Sequence, residues 1–208
     1  MMVAIVEGQA ETESVPVLLR RLLDESHAYQ IGIARPIRVK RNRVVKEGEI
    51  EKAVELALRS REGTRAILVV LDADDDCPKE LAPQLLARAR IAAGDRAICS
   101  VVLPKCELES WFLGSIESLR GLRGISPQAE PVENPEGVRD AKGRLTEMMV
   151  RRAYVETDDQ AALTQSFDIE AARARCRSFR KLHKDVCAVL TELYAEVQGD
   201  DAPPSAQT

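Results

Sequence analysis

Short apolar runs alternate with longer amphipathic segments in the first half of the chain. Residues 3–6, 66–71 and 97–103 are rich in valine and isoleucine, which is typical of buried strands. Residues 31–39 alternate apolar and polar side chains and predict a further strand, which Pro36 places near a sheet edge. Between these runs, helical spacing predicts a helix that opens between residues 10 and 14 and helices over 49–59 and 81–92. This order predicts an α/β fold with a mostly parallel four-stranded sheet flanked by helices.

The pattern changes after about residue 119. A short helix is predicted over 107–113, and residues 121–137, rich in glycine, proline and polar side chains, predict a long loop. Helical patterns then cover 138–152, 159–165, 168–175 and 178–197. We therefore expect an α/β domain over residues 1–119, a loop and helical C-terminal region packed on it over 120–198, and a disordered tail over 199–208.

Composition and motifs exclude several classes of protein, among them secreted disulfide-bonded and membrane-spanning proteins. The 208 residues carry a net charge of −4 and five scattered cysteines without a CxxC pair, which favours free thiols in a reducing cytoplasm. The first apolar run meets Glu7 with no basic segment before it, so no signal peptide is expected, and no run is long enough to span a membrane. A zinc site of cysteine and histidine, a GxSxG nucleophile and a P-loop have no supporting motif.

Acidic residues follow three of the predicted strands. Glu7 and Glu11 follow the first, Asp72 and Asp74 follow the strand at 66–71, and Glu109 follows the strand at 97–103. Parallel strands bring their carboxyl ends to one edge of a sheet, so these carboxylates should converge. Hard oxygen ligands of this kind suit Mg²⁺ or Mn²⁺, and we expect one or two such ions.

Simpler explanations exist for some of these residues. Asp72 and Asp74 are two positions apart and would point to the same side of an extended strand end, which favours a metal role. Glu11, Asp75 and Asp76 could instead stabilise helix N-termini, and this explanation is favoured for Asp75 and Asp76. Gly8 could be an ordinary turn glycine, or it could let a phosphate approach the backbone.

These residues resemble a known signature. Glu7-Gly8 after the first strand, with Asp72-x-Asp74 after the third, is similar to the Toprim motif of topoisomerases, DnaG-type primases and OLD-family nucleases. The segments Val6-Glu7-Gly8-Gln9-x-Glu11, Leu71-Asp72-x-Asp74-x-Asp76 and Glu107-x-Glu109-Ser110-Trp111-Phe112 resemble more closely the domain of unknown function 4276 proteins. Those are bacterial Toprim-like proteins, many encoded near phage-defence genes.

The resemblance implies a Toprim-like fold and Mg²⁺-dependent phosphoryl transfer on nucleic acid. By matching position, Glu7 would be a general acid/base or a metal ligand, and Asp72 and Asp74 would be metal ligands. Glu11 and Glu109 match acids that hold a second metal in OLD-type nucleases. From the residues alone, Lys142 is a candidate to stabilise the leaving group, and a solvated surface lysine is the simpler alternative.

Basic residues supply candidate contacts to a substrate. Residues 35–46 are the densest cationic stretch, and the predicted substrate-binding residues are Gly8, Arg38, Lys40, Arg41 and Arg43. For the arginines and lysines of the C-terminal helices, a solvated charged face is slightly favoured over phosphate contacts. Core packing is favoured over base stacking for Trp111 and Phe112.

Two hypotheses of function follow. The first is a cytoplasmic, metal-dependent Toprim-like nuclease acting on DNA or RNA, in a bacterial phage-defence module. The second is a non-catalytic Toprim-like protein that binds nucleotide, nucleic acid or a partner ATPase. A receiver or haloacid-dehalogenase-like phosphatase fits less well, because such phosphatases carry Asp-x-Asp after their first strand. DNA versus RNA and self-association into a homo-oligomer are left open.

Overall fold

A four-stranded parallel sheet forms the centre of the computed structural model, which describes residues 1–60 and 62–200. The strands are β1 (Met2–Val6), β2 (Ile37–Arg38), β3 (Ala66–Val70) and β4 (Ile98–Val102), in the order β2-β1-β3-β4. Met2 pairs with Ala66, Ala66 pairs with Ile98, and Ile5 pairs with Ile37, all in parallel. The predicted α/β fold is therefore confirmed, and β1, β3 and β4 end at the same edge.

Helices surround this sheet and make up most of the remaining structure. Short 3₁₀ turns at Gly94–Arg96 and Pro135–Gly137 lie between them. The helices are α1 (Glu11–Glu25), α2 (Arg41–Val44), α3 (Glu49–Ser60), α4 (Pro78–Ala93), α5 (Ser110–Gly114), α6 (Ile116–Leu119), α7 (Ala141–Glu147), α8 (Glu156–Ser166), α9 (Ile169–Arg175) and α10 (Arg177–Asp200).

Two elements are shorter than predicted. The strand over 31–39 reduces to Ile37–Arg38 and a single bridge between Ile33 and Met2, because Pro36 has no N–H to donate to the ladder. The helix over 138–152 reduces to Ala141–Glu147. There the chain leaves the helix so that Met149 can form an antiparallel bridge with Ile125.

Each face of the sheet is covered by a separate layer of helices. Side chains alternate between the faces, so Val3 and Ile5 pack with α3 and α4, whereas Met2, Ala4 and Val6 lie in the other cluster. That second cluster also contains residues of α1 and of α5 to α10. The C-terminal helices thus share one hydrophobic core with the sheet, and both faces are buried as parallel sheets require.

Trp111 and Phe112 are fully buried, as the preference for core packing predicted. Trp111 meets the ring of Phe179 edge-on at 5.2 Å between centroids, and Phe179 meets Phe167 in the same way at 5.5 Å. The indole N–H of Trp111 donates to Ser178 Oγ at 2.8 Å. This aromatic cluster joins α5 to the C-terminal helices.

The end of the chain differs from its prediction by two residues. Helix α10 continues to Asp200, although the disordered tail was predicted from residue 199. The rest of that prediction, residues 201–208, lies outside the described residues. Among the helices that are described, none is long and apolar enough to cross a membrane.

We expect Phe179→Ala to lower the free energy of unfolding by about 3–5 kcal/mol, because it removes a fully buried ring from a close-packed cluster. Urea unfolding followed by circular dichroism measures the loss. Ile91→Ala is the control, since Ile91 is 81% exposed and should change stability by less than about 0.5 kcal/mol. Equal losses in the two variants would show that the aromatic cluster does not hold the C-terminal helices.

Candidate functional site

The exit of β1 places two acids and a glycine at the edge of the sheet. Glu7 is partly buried directly after the strand, and Glu11 is the buried first residue of α1. A side chain on Gly8 would overlap the Glu11 carboxylate, so the glycine lets Glu11 fold back against the backbone. Ala10 holds the N-cap position, and Glu11 lies in the first turn of α1, where a carboxylate stabilises the helix N-terminus. The helix-terminus explanation for Glu11 therefore remains open beside the metal role, and Gly8 has a local structural reason that needs no phosphate.

The exit of β3 sends its two aspartates to different surroundings. Asp72 is partly buried, and its Oδ1 accepts a hydrogen bond from the Leu108 backbone N–H at 2.9 Å. Asp74 is 57% exposed and adopts a φ of 49°, in the left-handed region. The extended geometry that would place both on the same side ends before Asp74, so that expectation is wrong.

The exit of β4 buries Glu109 inside a hydrogen-bond network. Its Oε1 accepts from the Tyr154 hydroxyl at 2.9 Å and from Gln160 Nε2 at 3.0 Å. Gln160 in turn accepts from the Ser14 hydroxyl at 2.6 Å, so α1 and α8 both support the carboxylate. Glu109 Oε2 is also buried, and it has no hydrogen-bond partner within the described chain.

The five predicted acids influence one another electrostatically in a continuous series. Burial raises the pKa of Glu7, and the nearby carboxylates of Asp74 and Glu11 raise it further. Burial also raises the pKa of Asp72 well above its usual value, with further contributions from Glu109 and Glu11. The tertiary structure thus brings the exits of β1, β3 and β4 together at one place.

Lys142 lies close to Glu109 and Asp72, two of these acids. Burial by itself would lower the pKa of its ammonium group, but the carboxylates of Glu109, Glu156 and Asp72 outweigh that effect and raise it. Lys142 Nζ is 2.7 Å from Glu156 Oε1 and 3.7 Å from Glu107 Oε1. It is therefore a charged, partly buried member of the site, and the alternative of a solvated surface lysine is wrong.

The pKa of Glu109 reflects the cost of burying it. Burial raises this pKa to about 7, although the Lys142 ammonium group, Gln160 and Tyr154 each act to lower it. A carboxyl group poised near neutral pH can hold or release a proton at small cost.

The acids offer oxygen atoms that a divalent cation could bind, but they do not form a ready-made metal site. The buried Oε2 atoms of Glu11 and Glu109 have no hydrogen-bond partner in the described chain, and a cation would compensate both. However, within residues 1–60 and 62–200, no three acidic, histidine or cysteine side chains are already arranged as a metal-ligand group. Metal binding therefore requires side chains to reorient.

Arg41 holds the β3 exit loop in place. Its Nε donates to the Asp72 carbonyl at 2.6 Å and its Nη2 donates to the Ala73 carbonyl at 2.8 Å. The same guanidinium forms ion pairs with Asp74 and Asp76, and the side chain is only 14% exposed. These contacts give Arg41 a structural role in the β3 exit loop, and its predicted contact with substrate stays a prediction.

Asp75 and Asp76 do not cap α4, contrary to expectation. Asp75 pairs with Arg139 and Asp76 pairs with Arg41, whereas Cys77 occupies the N-cap position without a side-chain hydrogen bond. Asp76 thus links the loop to α2 through Arg41, whereas Asp75 and Arg139 form a pair in which both side chains are largely exposed.

The other predicted basic residues lie on the surface beside the site. Arg38 is exposed, and its Nε donates to the Glu7 carbonyl at 3.1 Å while Nη1 donates to Gln9 Oε1 at 3.2 Å. Lys40 is exposed at the N-cap position of α2, and Arg43 is 64% exposed and paired with Glu49. Binding of substrate by these three residues stays a prediction.

Tyr154, Gln160 and Ser14 were missed by sequence reasoning. Tyr154 follows the helix predicted over 138–152, in a segment without a motif. Gln160 and Ser14 lie on helices whose hydrophobic pattern gives no sign of a functional site. The buried polar character of Ser14 and Gln160 is a tertiary property, and no local sequence signal could have identified it.

We expect Glu109→Gln to change the pH dependence of stability in protein kept metal-free with EDTA. Because the pKa of Glu109 is about 7 when folded, the folded state retains a proton that the unfolded state loses from about pH 4.5 upward. Its contribution to stability is full below that pH and is lost as pH rises through about 7. Glutamine keeps the acceptor for Tyr154 and Gln160 but cannot ionise. Relative to this variant, the wild type should lose on the order of 2–3 kcal/mol between about pH 5 and pH 8 in urea unfolding.

The control for this measurement is Glu13→Gln on the exposed face of α1. Its stability should track the wild type across the same pH range. Parallel curves for wild type and Glu109→Gln would contradict the raised pKa.

We expect Arg41→Met to lower the free energy of unfolding by about 2–3 kcal/mol, because charge-assisted bonds to two backbone carbonyls are lost. The matched variant is Arg43→Met, whose exposed ion pair should contribute less than about 1 kcal/mol. Thermal and urea unfolding of both variants test the difference. If the two losses were the same, Arg41 would not be the residue that holds the loop.

The chain was compared with known families, curated proteins and solved structures. No curated protein matches it, and no solved structure does. The family model described as Domain of unknown function (DUF4276) matches residues 6–186. That span runs from the last residue of β1 into α10 and includes Lys142 and all five predicted acids. The chain therefore belongs to the DUF4276 family.

Proposed function

We propose that this protein is a Mg²⁺- or Mn²⁺-dependent phosphodiesterase that cleaves nucleic acid at the edge where β1, β3 and β4 end. The observation that carries the proposal is that five acids follow three strands that end at one edge of the sheet, and that Glu11 and Glu109 each have a buried carboxylate oxygen without a hydrogen-bond partner in the described part of the chain. Clustering of buried like charges costs free energy and is typical of functional sites. A Toprim-like ancestry and a phage-defence context are part of the proposal and rest on sequence resemblance.

Glu7, Glu11, Asp72, Asp74 and Glu109 would hold the metal. Asp74 and Glu7 are the members best able to move, since Asp74 is largely exposed and Glu7 is partly so. Their rotation toward Asp72 would complete a ligand set at the expense of the ion pair between Asp74 and Arg41. When bound, a divalent cation neutralises charge on the phosphoryl oxygens and lowers the pKa of bound water.

The other residues of the site would support this reaction. Tyr154 and Gln160 hold Glu109 Oε1, so that Oε2 is the oxygen left to face the site. Lys142 is positively charged next to Glu109 and Asp72, where it can stabilise the negative charge that develops on a phosphoryl group or a leaving oxygen. Arg41 keeps the loop carrying Asp72 and Asp74 in position.

Two observations favour the second hypothesis, in which the protein binds nucleotide or nucleic acid without cleaving it. The described acids are not already arranged as a ligand group, and Lys142 supplies part of the positive charge that a metal would provide. The two functions differ in whether a divalent ion binds and whether phosphodiester bonds are broken.

We expect purified protein to cleave plasmid DNA or RNA in Mg²⁺ or Mn²⁺ and to lose this activity in EDTA. Asp72→Asn and Glu7→Gln should each reduce the cleavage rate by about 100-fold or more, because several kcal/mol of transition-state stabilisation are lost. Isothermal titration with Mn²⁺ provides a readout independent of activity, and both variants should bind the ion more weakly.

The matched control is Asp75→Asn, which alters an exposed aspartate of the same loop that pairs with Arg139 outside the acid series. It should retain cleavage and Mn²⁺ binding. Cleavage that survives both Asp72→Asn and Glu7→Gln would refute the site. Absence of cleavage together with metal-independent binding of nucleic acid would establish the non-catalytic alternative.

A further inference from the structure

An open groove lies beside the acids, between the β2–α2 segment and α3. Its volume is about 420 Å³, within the roughly 300–1,000 Å³ typical of small-molecule sites. Its rim carries Arg38, Lys40, Arg43 and Lys52. The groove therefore has the size of a ligand site and a strongly basic rim.

The charge of the groove is not balanced internally. Glu49 is the one acid among the lining residues, and it pairs with Arg43 at 2.8 Å and with Lys52 at 2.7 Å. Arg43 and Lys52 are 64% and 73% exposed, whereas their shared partner Glu49 is 15% exposed. One carboxylate cannot neutralise both cations, so the two side chains together retain positive charge that can meet a phosphate. In a chain of net charge −4, this local excess of positive charge favours an anionic ligand.

The floor of the groove is apolar. It is formed by Val39, Ala53 and Leu56, and Leu56 remains 51% exposed although it lies on a helix whose other face is packed into the core. A free phosphate would make no use of this surface. A nucleotide would, because its sugar and base can cover apolar side chains while its phosphate meets the basic rim.

Arg38 connects the groove to the acids. It lines the groove, and its guanidinium donates to the Glu7 carbonyl and to Gln9 Oε1. Arg38 thus joins the groove to the backbone of Glu7, which is one of the predicted metal ligands.

We propose that this groove binds the nucleotide next to the phosphodiester held by the acids, with its phosphate on Lys40, Arg43 and Lys52 and its base on Val39 and Leu56. The proposal rests on the proposed function, since it supplies the substrate class for that site. It assigns recognition to single-stranded nucleic acid, because a base that is free of pairing can cover the apolar floor.

The test measures binding of the full chain to a fluorescently labelled single-stranded thymidine 12-mer by anisotropy, in EDTA so that no cleavage occurs. The combined variant Lys40→Ala, Arg43→Ala and Lys52→Ala should bind at least about 10-fold more weakly at low salt. The slope of log Kd against log salt should fall in magnitude by about 0.7, as expected when one phosphate of a single strand is no longer neutralised. Leu56→Ala should weaken binding while leaving the salt slope unchanged, because it removes only apolar contact.

The control is Arg173→Ala with Lys184→Ala, which removes basic residues from a second cavity between α9 and α10. This variant should bind as the wild type does. Equal weakening by the control, or unchanged affinity of the groove variant, would overturn the proposal. If free thymidine monophosphate displaces the labelled strand, one nucleotide is sufficient for binding in the groove. If only the unlabelled strand displaces it, binding also requires the neighbouring phosphates.

This test separates the two proposals. Binding is measured without a divalent ion, so groove-dependent binding by a protein that never cleaves would refute the nuclease and support the groove. If the protein cleaves nucleic acid but the groove variants bind the strand as the wild type does, the nuclease is supported and the groove is refuted. All substituted side chains in the groove are exposed, and unchanged urea unfolding confirms that each variant is folded.

Discussion

The burial of carboxylates at one edge of the sheet is the constraint that organises the surrounding structure. Parallel strands β1, β3 and β4 end side by side, and the acids that follow them lie close enough for Glu109 and Glu11 to raise the pKa of Asp72. The protein offsets part of the resulting cost with the Lys142 ammonium group and with hydrogen bonds from Tyr154 and Gln160 to Glu109. The remaining cost appears as the raised pKa values of Asp72, Glu109 and Glu7, for each of which the loss of hydration on burial is the largest cause.

The helical C-terminal region makes this compensation available. Lys142 enters the site from α7, and Gln160 enters from α8, which packs along α1. The start of α8 is itself held by an ion cluster in which the fully buried Asp159 accepts hydrogen bonds from Arg152 and Arg123. These arginine bonds and the Val155 N–H hold the pKa of Asp159 below its usual value despite the opposing effect of burial. The sheet therefore supplies the acids, and the later helices supply the groups that let them coexist.

The site and the basic groove divide the edge of the molecule into two chemically distinct surfaces. The acids lie where β1, β3 and β4 end, and the cations lie along β2, α2 and α3 on the β2 side of the sheet. Arg41 lies between the two surfaces, and its guanidinium binds the carbonyls and carboxylates of the β3 exit loop. Under the proposed function, a nucleic-acid strand would place its scissile phosphate at the acids and a neighbouring nucleotide in the groove.

The sequence by itself determined the strands at 66–71 and 97–103, the parallel α/β fold and the positions of the acids, since these depend on local hydrophobic patterns. It could not determine the directions of side chains after the strands end. Asp72 and Asp74 diverge because the backbone is left-handed at Asp74. Arg41 holds the β3 exit loop because its guanidinium donates a hydrogen bond to the Asp72 carbonyl. The network from Ser14 through Gln160 to Glu109 joins residues up to 146 positions apart. Only the tertiary structure decides such contacts, because burial and charge pairing arise from packing between distant segments and leave no local pattern in the sequence.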